Sequence, residues 1–168
     1  MKRDGCPIEW RYGSKTAPHP DACHGGVRDD QRRLSKDGRR QAERLAPKIR
    51  SYIDGGIVLH SPALRAFETA EKISEGADVE LVELEELYWG DEDDLIRMIP
   101  LGEVPVLVVV HAPSIPMAAS MIAAGDGPDL IAMRGCPTAT TYVFDVPSDL
   151  QKIGWHSVDL VDILITPK

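Results

Sequence analysis

A histidine that ends an apolar strand and an arginine that opens a helix hold the most chemistry in this chain of 168 residues. His111 follows Val106-Leu107-Val108-Val109-Val110, and Arg65 lies in His60-Ser61-Pro62-Ala63-Leu64-Arg65-Ala66-Phe67-Glu68-Thr69-Ala70. Parallel α/β sheets bind ligands at the carboxyl ends of their strands, which is where both residues are expected. A guanidinium presents a planar fork of donors that pairs with two phosphate oxygens at once. In the first turn after Pro62 it would add to the free N–H groups of a helix start. A histidine at a strand end can donate to a phosphate oxygen when protonated. Phosphoryl transfer asks for little beyond such positioning and charge neutralisation. Taken singly, each residue has a plainer reading. His111 could be a hydrogen-bonded core histidine, and Arg65 a surface arginine paired with Glu68 or Glu71 on its own helix. A third segment, Arg11-Tyr12-Gly13, brings another arginine near the start.

The elements that must position these residues can be read from periodicity. Ile8 to Tyr12 could form a short first strand, followed by a Gly-, Pro- and His-rich loop from Gly13 to Leu34 that is long enough to suggest a lid over a pocket. Ser35 is a good N-cap, and Ala42, Leu45, Ala46, Ile49 and Ile53 mark one buried helical face. Pro47 is expected to bend that helix or end it early, and Gly55-Gly56 to close it. Ile57 to His60 reads as a short buried strand. Ser61-Pro62 reads as a cap with proline at the first helical position, ahead of the stripe Ala63, Ala66, Phe67, Ala70 and Ile73. Val79 to Leu84 suits an edge strand, and Leu95 to Ile99 a short helix stopped by Pro100. Val106 to Val110 suits a central strand covered on both faces. Ser114 to Ala124 is a helix ended at Gly125, and Thr140 to Val146 and Val158 to Ile165 are late strands. Strands alternating with helices predict an α/β fold with a mainly parallel sheet, as one domain over residues 1–168.

Charge narrows the function classes. Lys and Arg total 19 against 27 Asp and Glu, a net charge of −8, which argues against nonspecific nucleic-acid binding. Basic residues concentrate from Arg28 to Arg50 and acidic ones from Asp78 to Asp94. These are two solvated faces, or a basic approach to an anionic substrate with an acidic wall opposite. Cys6, Cys23 and Cys136 have no CxxC spacing, so neither a metal site nor a disulfide framework is indicated. A reducing cytoplasm fits. The uncharged stretch between Glu103 and Asp126 is broken by Pro105, Pro113 and Pro116 and does not read as a membrane span.

Four segments, in order, resemble the histidine phosphatase superfamily. Arg11-Tyr12-Gly13 stands where the family has Arg-His-Gly or Arg-His-Ala. Leu34-Ser35-Lys36-Asp37-Gly38-Arg39-Arg40-Gln41-Ala42 is similar to the helix start that follows. Ser61-Pro62-Ala63-Leu64-Arg65-Ala66 with Thr69-Ala70 is the most specific match. Val110-His111-Ala112-Pro113 resembles the family's Gly-His-Asn-Pro, with Val and Ala replacing Gly and Asn. The short chain looks most like the small SixA-type phosphohistidine phosphatases. The resemblance implies a phosphoglycerate mutase-like, three-layer α/β/α sandwich. It implies a nucleophilic histidine that forms a phosphohistidine, and two arginines and a second histidine that hold the phosphoryl oxygens. Carried over, the arginines are Arg11 and Arg65, and the second histidine is His111. No cofactor is implied, and the expected partner is a phosphorylated protein or small molecule.

Tyr12 occupies the nucleophile position. A phenol ionises only at a pKa of about 10, whereas neutral imidazole attacks without losing a proton. The expectation is a degenerate site with weak or absent hydrolysis. The alternatives are an active phosphohydrolase with a substitute nucleophile, such as His19 or His24 from the 13–34 loop, and a partner-binding domain with a vestigial pocket. His60, His156 and Cys23 are weaker substitutes. Glu85, Glu86 and Asp91 are candidates for a general acid, though they also read as a solvated acidic loop.

Overall fold

The computed structural model describes residues 28–147 and 150–166. The proposed first strand and most of the 13–34 loop lie outside the described residues, and with them Arg11, Tyr12, His19, His24, Cys6 and Cys23. The described chain opens with a 3₁₀ turn, Asp29–Gln31, and enters helix α1, Lys36–Ile53. Ser35 caps α1: its side chain accepts from the Gly38 N–H at 3.0 Å. Ala42, Leu45, Ala46, Ile49 and Ile53 are all buried, as their spacing requires.

Pro47 neither bends the helix out of register nor ends it; α1 runs six residues further. Pro47 and Glu43 both face solvent, so water can serve the Glu43 carbonyl that loses its donor. Ala46 and Ile49 on either side stay in the core and hold the axis. Gly55, with φ of +75°, turns the chain out of α1. Gly56 allows a close approach, because a Cβ there would lie 2.3 Å from the Pro105 carbonyl oxygen.

Strand β1, Gly56–His60, then pairs in parallel with β2, Val79–Glu83, and with β3, Val106–Val109. Among the described residues the order is β2-β1-β3, which leaves β2 at an edge as expected. Alternation along β1 and β3 divides the core. Val58, Leu107 and Val109 pack with α1 and with α2, Leu64–Ser74. Ile57, Leu59, Val106, Val108 and Val110 pack on the opposite face. There they meet Leu87 of α3 (Glu86–Trp89), Leu95 of α4 (Glu92–Met98) and Ala118 of α5 (Ser114–Ile122). The parallel sheet is therefore covered by helices on both sides.

Two further local expectations need correction. Helix α2 starts at Leu64, so Pro62 precedes it and Ser61 is not its N-cap. The Ser61 side chain instead accepts from the Ala63 N–H at 3.2 Å. A sixth helix, α6, Gly127–Arg134, was not expected, because only Gly127 and Ile131 of it are buried and no stripe marks it. The late strands β4, Thr140–Asp145, and β5, Asp159–Ile165, pair antiparallel with each other.

Pro47 yields a stability prediction. Proline costs about 3 kcal/mol relative to alanine inside a helix, offset by up to about 1 kcal/mol of unfolded-chain entropy. Pro47→Ala should raise the urea midpoint by the equivalent of about 2–3 kcal/mol at unchanged m. An unchanged or lower midpoint would show that this turn carries no helical strain.

Candidate functional site

The register that pairs His60 with Val109 brings the carboxyl ends of β1 and β3 to one edge. The chain leaves β1 into α2 and leaves β3 through Val110 to His111. Helix α2 sits close to the sheet because Ala63, Ala66 and Ala70 are fully buried and present only methyl groups. Arg65, the second residue of α2, is thereby drawn inward, and its side chain keeps 10% of its exposure.

Arg65 does not pair with Glu68 or Glu71. Its Nη1 donates to the main-chain carbonyl of Asp29 at 2.6 Å, and its Nη2 to Asp29 Oδ2 at 2.9 Å. The Tyr88 hydroxyl donates to the same Oδ2 at 3.3 Å, and Arg32 Nη1 lies 3.4 Å from Oδ1. Burial pushes the Asp29 carboxyl up, but the charge and hydrogen bond of Arg65, then Arg32 and Tyr88, outweigh it and hold the group below its ordinary value. Burial, followed by the charge of Asp29, raises the Tyr88 phenol.

Glu68, three residues along the same face of α2, is a second buried carboxylate. It accepts from the Leu34 N–H at 2.8 Å and from Arg33 Nη1 at 3.0 Å, with Arg39 Nη2 at 3.7 Å. Arg65 and Glu68 thus tie residues 29–34 onto α2 at two points.

His111 joins this network through Tyr88, whose ring meets the imidazole edge-on at 5.2 Å between centroids. Its Nδ1 is buried with no hydrogen-bond partner among the described residues. Burial, then the charge of Arg65, pushes His111 down to about 4, against a weaker upward pull from Asp29 and the Tyr88 carbonyl. In this state the imidazole is neutral near pH 7, not the cationic donor that the sequence reading considered. An added anion would favour its protonation.

The remaining described candidates lie as follows. His60 is buried, with Nδ1 3.0 Å from the Ser61 carbonyl and its ring against Phe67. His156 Nδ1 lies 2.8 Å from the Ala123 carbonyl. Asp91 caps α4, accepting from the Asp94 N–H at 2.9 Å, and Glu86 begins α3, so the acidic stretch forms two short helices instead of a loop. Sequence reasoning missed Asp29 and Tyr88, and gave Glu68 to Arg65 where it holds Arg33 and the Leu34 N–H. Asp29 is 36 residues from Arg65, and no local spacing could have announced the contact. Among the described residues no group of three or more His, Cys, Asp or Glu is placed to hold a metal ion, and no helix is long and apolar enough to cross a membrane.

The network predicts a pH response with a definite sign. Unfolded, His111 takes up a proton near its ordinary value of 6.5; folded, only near 4. Between those values the unfolded chain binds more protons, so stability should fall as pH drops from about 6.5 to about 4. Asp29 adds a second loss as pH falls below 3.8 towards its lowered native value. Denaturant midpoints across this range, with and without His111→Ala, test the assignment. The variant should flatten the upper window; an unchanged slope would rule His111 out as its source.

Comparison with known proteins bears on the family and the fold. The family model of the histidine phosphatase superfamily (branch 1) matches residues 16–99. That span includes Arg65 and starts four residues beyond Tyr12. A chain named as phosphohistidine phosphatase SixA of Nakamurella multipartitia is 26% identical, with a TM-score of 0.67 over 84% of this chain and 89% of that one. The corresponding protein of Agrobacterium tumefaciens is 24% identical, with a TM-score of 0.70 over 86% and 90%. A protein histidine phosphatase SixA complexed with tungstate is 22% identical, with a TM-score of 0.61 over 87% and 92%. The last two likenesses speak to the fold alone. No curated protein matches significantly.

Proposed function

Because the chain belongs to branch 1 of the histidine phosphatase superfamily, with a SixA-like fold, we propose that Arg65 and His111, joined by Arg11, hold a phosphoryl group in a pocket that binds without efficient hydrolysis. The observation that carries the reading is the buried Arg65 fork. It already holds an oxyanion, the Asp29 carboxylate, beside a neutral histidine with an unpartnered ring nitrogen. Such a fork suits a phosphoryl group better than a carboxylate, because phosphate supplies a further oxygen for the imidazole. Within this reading residues 1–168 act as one domain, and the ligand is a phosphorylated protein or a small phosphorylated molecule.

The absence of efficient turnover follows from Tyr12. Positioning and charge neutralisation would remain, but the attacking atom would be a phenol oxygen, protonated at neutral pH. An aryl phosphate formed there would also break down less readily than a phosphoimidazole.

Two experiments test the reading. Phosphate should raise the melting temperature of the wild type by mass action, and Arg65→Ala should abolish that rise. A rise that survives Arg65→Ala would place the anion elsewhere; no rise in the wild type would favour a vestigial pocket. Tyr12→His should increase aryl phosphate hydrolysis by roughly 100-fold or more and yield an acid-labile phosphoenzyme on quenching, both weak or absent in the wild type. Wild-type turnover that is brisk and indifferent to Tyr12→Phe would point to a substitute nucleophile.

A further inference from the structure

We propose that Asp29 is the specificity determinant of this pocket. It is a resident carboxylate on the Arg65 fork that an incoming phosphoryl group must displace, so that dianionic phosphomonoesters and phosphoramidates enter while monoanionic phosphodiesters are refused. The inference rests on the phosphoryl-pocket reading above.

The geometry is that of a ligand already bound. One oxygen of Asp29 takes Arg65 Nη2 at 2.9 Å and the Tyr88 hydroxyl at 3.3 Å, the other faces Arg32 Nη1 at 3.4 Å, and the main-chain carbonyl takes Arg65 Nη1 at 2.6 Å. With the Arg65 side chain only 10% exposed, two anions cannot share the engaged side of its fork. A tethered carboxylate competes at an effective concentration on the order of millimolar or above. A monoanion replaces it like for like and gains little. A dianion brings a second charge to Arg65 and Arg32, and oxygens enough to reach His111 as well.

Displacement does not require the whole segment to leave. Leu34 stays fixed to Glu68 by its N–H at 2.8 Å, so only the 3₁₀ turn Asp29–Gln31 need swing away. Its neighbour Asp30 is engaged differently, 3.1 Å from Arg28, and serves as an internal control.

The test is calorimetric titration of the full chain at about pH 8 with inorganic phosphate and with dimethyl phosphate, a monoanionic diester. The wild type should bind phosphate at least tenfold tighter than the diester. Asp29→Asn, which keeps the shape and the main-chain bond while removing the charge, should gain at least tenfold for the diester and narrow the preference. Asp29→Ser is the second variant, and Asp30→Asn should match the wild type. If Asp29→Asn and Asp29→Ser bind phosphate more weakly than the wild type, or keep its preference unchanged, Asp29 orients Arg65 instead of competing for it, and the inference fails while the pocket stands. If none of these proteins binds phosphate, the pocket reading fails and this inference with it.

Discussion

A guanidinium buried as deeply as that of Arg65 needs an anion. The cost of removing a charge from water is met only by a close partner of opposite sign, and breaking such a pair by deleting one member costs about 3–5 kcal/mol in buried settings. Much of the local structure satisfies this need. The alanines of α2 draw the helix onto β1 and carry Arg65 inward. The turn at Asp29 brings a carboxylate to meet it, and Glu68 holds the following residues in place through the Leu34 N–H. Tyr88 bridges the pair to His111, so the charge state of one group is felt by the next.

The same constraint gives the site its chemical character. Burial and then the charge of Arg65 keep His111 neutral, while Asp29 stays ionised. The pocket is thus balanced by a group of the chain itself when no ligand is bound. That balance is consistent with a site meant for an oxyanion, and it separates binding from catalysis. Under the proposed function, the electrostatic part of phosphoryl recognition would lie in Arg65 and His111, and covalent chemistry would depend on what Tyr12 can do.

Much of the architecture was legible in the sequence, because it rests on local periodicity and short-range signals. The apolar stripe of α1 and its Ser35 cap emerged as read, the strand read as central from Val106 to Val110 is β3, Val106–Val109, paired on one side alone among the described residues, and the family was named from four segments that include those around Arg65 and His111. Pro47 misled, since a proline on a solvent-facing turn can be carried by a helix whose other face is anchored. Helix α6 escaped because it buries too little to leave a stripe. The partner of Arg65 escaped for a different reason. Nearby acids at helical spacing, Glu68 and Glu71, offered a plausible local pair, while the tertiary fold selected Asp29 from a distant turn and gave Glu68 to a main-chain N–H. Such long-range choices have no signature in a single sequence.

If the Arg65–His111 edge of the sheet is an oxyanion site, it should take up a tetrahedral anion. Crystals of the full chain grown with tungstate test it most directly, because anomalous scattering locates the metal of the oxyanion without ambiguity. One dominant peak is expected within hydrogen-bonding reach of both Arg65 and His111, with the Asp29 carboxylate moved off the guanidinium. A tungstate bound elsewhere, with the Arg65–Asp29 pair intact at full occupancy, would contradict it.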